Sequence, residues 1–275
     1  MMKYVHQSKN LMLTPSESLL YIEGKLTNTE GNYTKRLRFT NNGIAFLFRE
    51  ICYELDGITI DALRNVGLAS TLKSYLSSNT NESLKLQNAG WFPHRKEEDR
   101  ILVDDNGKFS VSIPLKLLMG FFKDYRKLYH VAAALIRSNN DLDGVFFKDD
   151  VTPPSTTLET PKVTFDKIYW KVPHILVDIP QQLALTRILE SNKDIVIGFR
   201  SWLELVEYSS LTETTRHTWP VKTTSKLEAP RHVIIAFQEN RKGNVKKDMS
   251  QFDDVDLTNI RIFLNSKGIL IMTYI

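Results

Sequence analysis

Short runs of apolar residues, each bounded by a turn signal, recur along the chain and constrain its fold more than any other feature. Asn42-Gly43, Asp56-Gly57 and Asn106-Gly107 adjoin such runs, and these dipeptides supply the positive φ angles that tight β-turns require. A parallel α/β sheet would need a helix between successive strands, whereas sandwiches and jelly rolls join short strands by turns. The pattern therefore predicts an all-β fold with a few short helices.

The apolar runs of both halves have the alternation and length of strands. The predicted strands are residues 19–27 and 33–40, which form a hairpin, then 44–55, 101–103 and 108–113, a second hairpin, and 129–137, 163–172, 195–205, 233–237 and 257–264.

Three segments interrupt the strands with helical patterns. Asp61 can cap a helix whose apolar residues, from Leu63 to Leu76, recur at helical spacing. Residues 114–125 predict a second short helix, and a third follows Pro180.

A stretch without apolar periodicity, residues 153–161, divides the chain. It contains Pro153, Pro154 and Pro161, and proline denies a sheet its ladder donors. We therefore predict four parts: an N-terminal arm (1–17), a first jelly roll (18–152), a linker rich in Pro and Thr (153–161) and a second jelly roll (162–275).

The charge balance is mildly basic, with 36 Lys and Arg against 32 Asp and Glu and a net charge of +4. Two clusters concentrate the positive charge: Lys35, Arg36 and Arg38, and Arg241, Lys242, Lys246 and Lys247. Such clusters can meet a polyanion weakly, contact an acidic neighbouring subunit, or only keep a hairpin tip solvated.

The sequence shows no motif of nucleotide or hydrolase chemistry, neither a phosphate-binding glycine loop nor a Gly-x-Ser-x-Gly turn. His94 with Glu97 and Glu98 lies in a mixed-charge surface run, and a structural role is favoured for His174 and His217. The single Cys52 excludes an intrachain disulfide. We therefore predict no catalytic, cofactor-binding or metal site, no cofactor and no small-molecule substrate.

No apolar stretch reaches the ~18–20 residues of a membrane-spanning helix. The first 15 residues lack the continuous apolar core of a secretory signal. We expect an intracellular protein, in the cytoplasm or nucleus.

Two phrases of the sequence are distinctive, Ile-Tyr-Trp-Lys-Val-Pro-His at 168–174 and Gly-Phe-Arg-Ser-Trp at 198–202. Further phrases of this kind lie at residues 91–93, 113–116, 137–139, 215–219, 230–241, 250–253, 257–261 and 264–266. In these phrases the sequence resembles the double jelly-roll major capsid proteins of Polinton-type DNA viruses and their relatives in animal genomes.

The resemblance implies two tandem jelly rolls in one chain, and three chains in a pseudo-hexagonal capsomer similar in plan to adenovirus hexon. It implies a structural subunit without catalysis, whose partners are its own copies and capsid neighbours, and which resides in a virion if capsid-competent. Similar proteins continue where this sequence stops after an apolar tail, so the second jelly roll is expected to be incomplete. That would fit a decaying endogenous viral gene or a host gene derived from one, and equally a split gene or a partial gene model.

Two other functions compete with this interpretation. A β-sandwich binding module for glycans or nucleic acid would be monomeric, with a concave aromatic patch of residues such as Trp91, Trp202 or Trp219. A hydrolase or nuclease would need carboxylates and histidines to converge from distant positions.

Overall fold

The structure is a computed structural model that describes residues 2–6, 12–93, 102–126, 133–139, 143–148, 160–191, 196–204, 216–221, 231–264 and 267–273.

Strands dominate the described part of the chain. They are β1 (Met2–His6), β2 (Met12–Leu13), β3 (Leu19–Asn28), β4 (Leu37–Phe39), β5 (Phe48–Leu55), β6 (Ile58–Arg64), β7 (Lys108–Pro114), β8 (Ala133–Asn139), β9 (Val145–Phe147), β10 (Pro161–Lys171), β11 (His174–Ile175), β12 (Asn259–Leu264) and β13 (Lys267–Thr273).

The helices between the strands are short. They are α1 (Gly43–Phe46), α2 (Val66–Ser77), α3 (Thr80–Lys85), α4 (Leu115–Leu118), α5 (Gly120–Asp124) and α6 (Ile179–Glu190). The predicted helices at 114–125 and after Pro180 correspond to α4 with α5 and to α6.

The strand β3 lies at the centre of a three-stranded antiparallel sheet. Its neighbours are β7 and β10, with Ile22 opposite Val111 on one side and opposite Ile168 on the other. Leu20 and Ile22 are fully buried while the alternate residues are half-exposed, so one face of this sheet forms the core.

A second sheet covers that face, with the strand order β1-β8-β5-β6. The ring of Phe48 on β5 stacks 6.1 Å from the ring of Phe165 on β10, and Tyr53 on β5 meets Trp170 on β10 edge to face at 6.1 Å. The two sheets therefore form a sandwich. Shorter two-stranded pairs are β4 with β9, β2 with β11, and β12 with β13.

Most of the described hydrophobic core lies before residue 149. After that position, the buried apolar side chains in the described residues are Ile168 and Met249. Residues 153–159 of the predicted linker lie outside the described part, and β10, which begins the predicted second jelly roll, pairs with β3.

Several details of the predicted strands are wrong. Residues 19–27 do form a strand, but it pairs with β7 and β10, whereas β4 pairs with β9. The predicted strand 44–55 begins with α1 instead, because Asn42 adopts a left-handed backbone (φ 61°) and its side-chain amide donates to Ser70 Oγ at 2.7 Å.

The predicted helix cap at Asp61 is also wrong. Asp61 lies in β6, where it and Leu63 are the inward residues, and α2 begins after Asn65, which has a φ of 45°. Burial raises the pKa of the Asp61 carboxyl, and its Oδ2 accepts a hydrogen bond from the Phe121 N–H at 2.9 Å. Asp61 therefore ties β6 to α5.

The turn of the second predicted hairpin is present, but the strand after it pairs with a different strand from the one predicted. Asp104 Oδ1 accepts from the Asn106 and Lys108 N–H groups, and Gly107 has a φ of 80°. The strand that follows, β7, pairs with β3.

Candidate assembly surface and basic depression

Residues 198–204, which begin with one of the capsid-like phrases, dock against α5 of the first half. The Arg200 guanidinium binds the Asp124 carboxylate through both edges, with Nε to Oδ2 at 2.8 Å and Nη2 to Oδ1 at 2.5 Å. These hydrogen bonds lower the pKa of Asp124 to about 2. The Phe199 ring lies 5.3 Å from Phe121, edge to face. We call this contact, residues 198–204 against α2 and α5, the junction.

A buried lysine lies beneath the junction. Lys73 Nζ on α2 donates to the carbonyl oxygens of Lys116 at 3.0 Å and Leu117 at 3.2 Å, and lies 5.7 Å from the Trp202 ring centroid. Burial lowers the pKa of Lys73 to about 7. The lysine therefore links α2 to the α4 turn and to the second half.

Glu204 ends the junction as a second buried titratable group. Burial raises its pKa to about 7, opposed by a hydrogen bond with Asn65. Its Oε2 atom has no hydrogen-bond partner among the described residues.

Residues 237–253 form a loop organised by one ion pair. Arg241 binds Asp253 through Nε to Oδ2 at 2.9 Å and Nη2 to Oδ1 at 2.5 Å, and this lowers the pKa of Asp253 to about 2. Lys247 Nζ donates to the Glu239 carbonyl at 2.9 Å. Side-chain contacts therefore hold this loop together. The strand pairing described within it is a single antiparallel bridge between Phe237 and Asp253.

This loop packs on the end of β9. The Phe147 N–H donates to the Val245 carbonyl at 2.5 Å, and the Gly243 N–H donates to Asp143 Oδ1 at 2.7 Å. On the other side of β9, the Lys148 N–H donates to the Arg36 carbonyl at 2.9 Å. The two basic clusters predicted from the sequence therefore lie on either side of the same strand.

An open depression of about 290 Å³ lies between the loop and β9. We call it the basic depression, and its lining residues are Phe146, Phe147, Lys148, Arg241, Lys246, Lys247, Asp248 and Gln251. Sequence reasoning found the loop lysines but missed Lys148, because only the pairing of β4 with β9 brings it there.

Apolar side chains are exposed over much of the second half. Leu176 and Val196 are 79% and 81% exposed. The other exposed large apolar residues in this region are Tyr169, Ile175, Ile179, Leu183, Ile188, Ile197, Leu203, Trp219, Val221, Val233, Ile235, Val255 and Phe263. So many exposed apolar side chains favour a surface that another protein covers.

The residues considered for chemistry lie apart. His94, Glu97 and Glu98 are outside the described residues, and His174 and His217 are exposed. Burial raises the pKa of the Cys52 thiol to about 11, which disfavours the reactive thiolate. The described residues contain no group of three or more side chains suited to a metal ion, and no helix among them is long and apolar enough to cross a bilayer.

A model of the double jelly roll-like domain matches residues 37–270. The chain belongs to this family. The match confirms the resemblance and the all-β fold class inferred from the sequence, and the double jelly roll-like domain includes the junction and the basic depression. No curated protein matches the sequence.

Two solved structures are similar to this double jelly roll-like chain at 13% identity. PBCV-1 VP54, fitted into a cryo-EM reconstruction of the virophage Sputnik, has a TM-score of 0.38 over 68% of this chain and 41% of its own. A chain of the PBCV-1 virus capsid has a TM-score of 0.36 over 66% of this chain and 40% of its own. The chain thus spans about two fifths of the length of these proteins.

Proposed function

We propose that the chain is a structural, capsid-like subunit of a Polinton-type DNA virus or of an endogenous derivative, and that three copies form a pseudo-hexagonal capsomer. The family match over residues 37–270 carries this proposal. The phrases at 168–174 and 198–202, similar to Polinton-type capsid proteins, support the finer assignment.

The distribution of apolar surface supports self-association. Large apolar side chains are exposed at many positions from Ile175 to Phe263, whereas those exposed in the described first half are Ile58, Tyr75, Leu76 and Leu84. Burial of such a surface against a symmetry mate is favourable by about 25 cal/mol per Å² of apolar area. In a closed homotrimer, every copy would bury this apolar surface against a neighbouring copy.

The other parts of the proposal follow from this structural role. The subunit is non-enzymatic, needs no cofactor, contains two jelly rolls separated near residues 153–161, assembles in the host cell and resides in the virion. Stiff sandwich walls and large contacts between copies are sufficient for that role.

The alternative of a monomeric module with an aromatic patch loses one of its proposed residues. Trp91 is buried, with its Nε1–H donating to Ser83 Oγ at 3.3 Å. Its ring packs on Tyr75 at 5.0 Å, so Trp91 serves the fold.

The test is the mass of the purified chain by light scattering after size exclusion, with electron microscopy of the peak. We expect a trimer or a capsomer-like ring. The triple variant Leu176→Ser, Val196→Ser, Leu203→Ser should dissociate it, because each of these side chains is more than half exposed.

A matched control replaces equally exposed residues of the first half, Ile58→Ser, Leu76→Ser and Leu84→Ser. This variant should keep the assembly. A folded wild-type monomer that never associates would overturn the proposed function, and equal dissociation of both variants would overturn the assignment of the surface.

A further inference from the structure

The basic depression combines cations that are far apart in the sequence. The hydrogen bond from the Lys148 N–H to the Arg36 carbonyl joins the end of β9 to the residue before β4. The Arg36 guanidinium lies 5.8 Å from the ring centroid of Phe147, which lines the depression. Lys246 and Lys247 enter from the loop on the other side.

The acidic side chains at the depression are engaged within the chain. Asp253 neutralises Arg241, and Asp248 Oδ1 accepts from the N–H at 2.8 Å and the Oγ at 2.6 Å of Ser250. An ammonium group has three donors, and Lys247 uses one of them on the Glu239 carbonyl. The lysines therefore give the depression an excess of positive charge.

Lysines around an open depression suit phosphate groups, which they meet as compact point charges. We infer that the basic depression binds the phosphodiester backbone of nucleic acid, without reading its bases. Phe146 and Phe147 are buried, so these rings cannot stack on a base, and stacking is what favours single strands. The depression should therefore show no preference for single-stranded over duplex DNA.

The shape of the site disfavours a membrane surface as the ligand. Interfacial binding places exposed apolar side chains into the lipid boundary, whereas the two phenylalanines that line this depression are covered. A strand of phosphates can enter a concave site that a flat bilayer cannot.

The experiment measures binding of the full chain to a short fluorescein-labelled DNA duplex by fluorescence anisotropy, between about 50 and 200 mM salt. Lys148→Gln and Lys246→Gln each remove a cation from one side of the depression. Each should weaken binding by roughly five- to tenfold and lower the log–log salt slope by about 1, and the double variant should lower the slope by about 2.

A control of equal charge is the double variant Lys85→Gln, Lys162→Gln. Both lysines are exposed, at the end of α3 and on β10. The control should change affinity less than about twofold, since neither lysine lines the depression. Equal losses in both double variants would show a general charge effect and overturn the inference.

Three other results would overturn it as well. They are no duplex binding by the wild-type chain at low salt, competition by poly-glutamate as strong as by DNA of equal charge, and flotation with anionic vesicles without duplex binding.

Asp149 and Asp150, which follow Lys148 in the sequence, lie outside the described residues, and neutralising both should tighten duplex binding.

The inference does not depend on capsid assembly. Light scattering on the lysine variants separates the two proposals. Loss of DNA binding by a variant that remains a trimer supports the depression as the DNA site and leaves the proposed assembly intact. A wild-type chain that is monomeric but binds DNA contradicts the proposed assembly and leaves the DNA site intact.

Discussion

The two halves of the molecule handle apolar residues in opposite ways. Between residues 12 and 148, aromatic and aliphatic side chains such as Phe48, Tyr53 and Phe121 are buried between two sheets. From residue 174 onward, side chains of the same kinds lie on the surface, and the described structure depends on ion pairs such as Arg241 with Asp253. The described core lies mainly in the first half, and the second half meets it through β10 and the junction and has apolar area left for another chain.

The largest expected effect tests this contrast directly. Phe121→Ala should destabilise the fold by about 3–5 kcal/mol, because its ring is fully buried against Tyr53 at 4.8 Å and Phe199 at 5.3 Å. Phe263→Ala, on an exposed ring, should cost less than about 0.5 kcal/mol in the monomer. Urea denaturation of dissociated protein measures both, and similar costs would contradict the contrast.

A second pair of variants tests the junction. A Cβ at Gly120 would lie 1.6 Å from the Arg200 carbonyl oxygen, so Gly120→Ala should push residues 198–204 away and cost about 1–3 kcal/mol. Gly198→Ala is the control, because nothing lies within 4 Å of its Cβ position. Hydrogen exchange should show faster exchange at 199–204 in Gly120→Ala alone, and unchanged exchange would mean that the two halves are not coupled there.

A third prediction concerns pH. Because burial lowers the pKa of Lys73 to about 7, the unfolded chain binds more protons than the folded chain between about pH 7 and 10. Stability should therefore rise with pH in that window, by at most about 1.4 kcal/mol per pH unit.

Lys73→Met should remove this rise, whereas Lys85→Met, at an exposed lysine, should keep it. Denaturation midpoints at neutral and alkaline pH give the comparison. The charged groups that act on Lys73 are Asp61, Lys123, Asp124 and Arg200, and an unchanged slope in Lys73→Met would show that Lys73 does not cause the rise.

The smallest expected effect is at the surface of the junction. Arg200→Gln should cost about 0.5–1 kcal/mol at neutral pH, since the guanidinium is half exposed. Because Arg200 lowers the pKa of Asp124 to about 2, the pair contributes fully above the unfolded pKa near 4 and is lost as pH falls through about 2. The difference from wild type should therefore vanish in strong acid, and a constant difference would contradict the ion pair as its cause.

Local sequence patterns predicted the positions of strands and helices better than the pairing of the strands. The turn at Gly107, the helices near residues 114–125 and 180, and β10 follow from glycine, proline and alternating apolar residues, which act within a few positions. The pairing of β3 with β7 and β10 and of β4 with β9 depends on contacts more than 80 residues apart, and no local rule sets them.

The errors have the same origin. Asp61 was assigned to a helix cap because Asp commonly caps helices, but its inward position in β6 and its bond to the Phe121 N–H decide its place. The described residues of 195–205 and 233–236 are apolar enough for strands, yet they form no ladder with a described strand. In the first of these segments the Arg200 side chain binds Asp124 instead. The two basic clusters were visible separately, and only the fold shows that they lie on either side of β9.

The central position of β3 also sets the order in which the chain can fold. Residues 19–28 leave the ribosome early, but their partner β10 is complete only when residue 171 has been made. Until then one edge of β3 has open backbone groups, which invite pairing with other nascent chains. Closing this sheet is therefore a late, non-local step that slows folding. The ribosome must translate the intervening 132 residues, 29 to 160, after β3 has been made and before β10 begins.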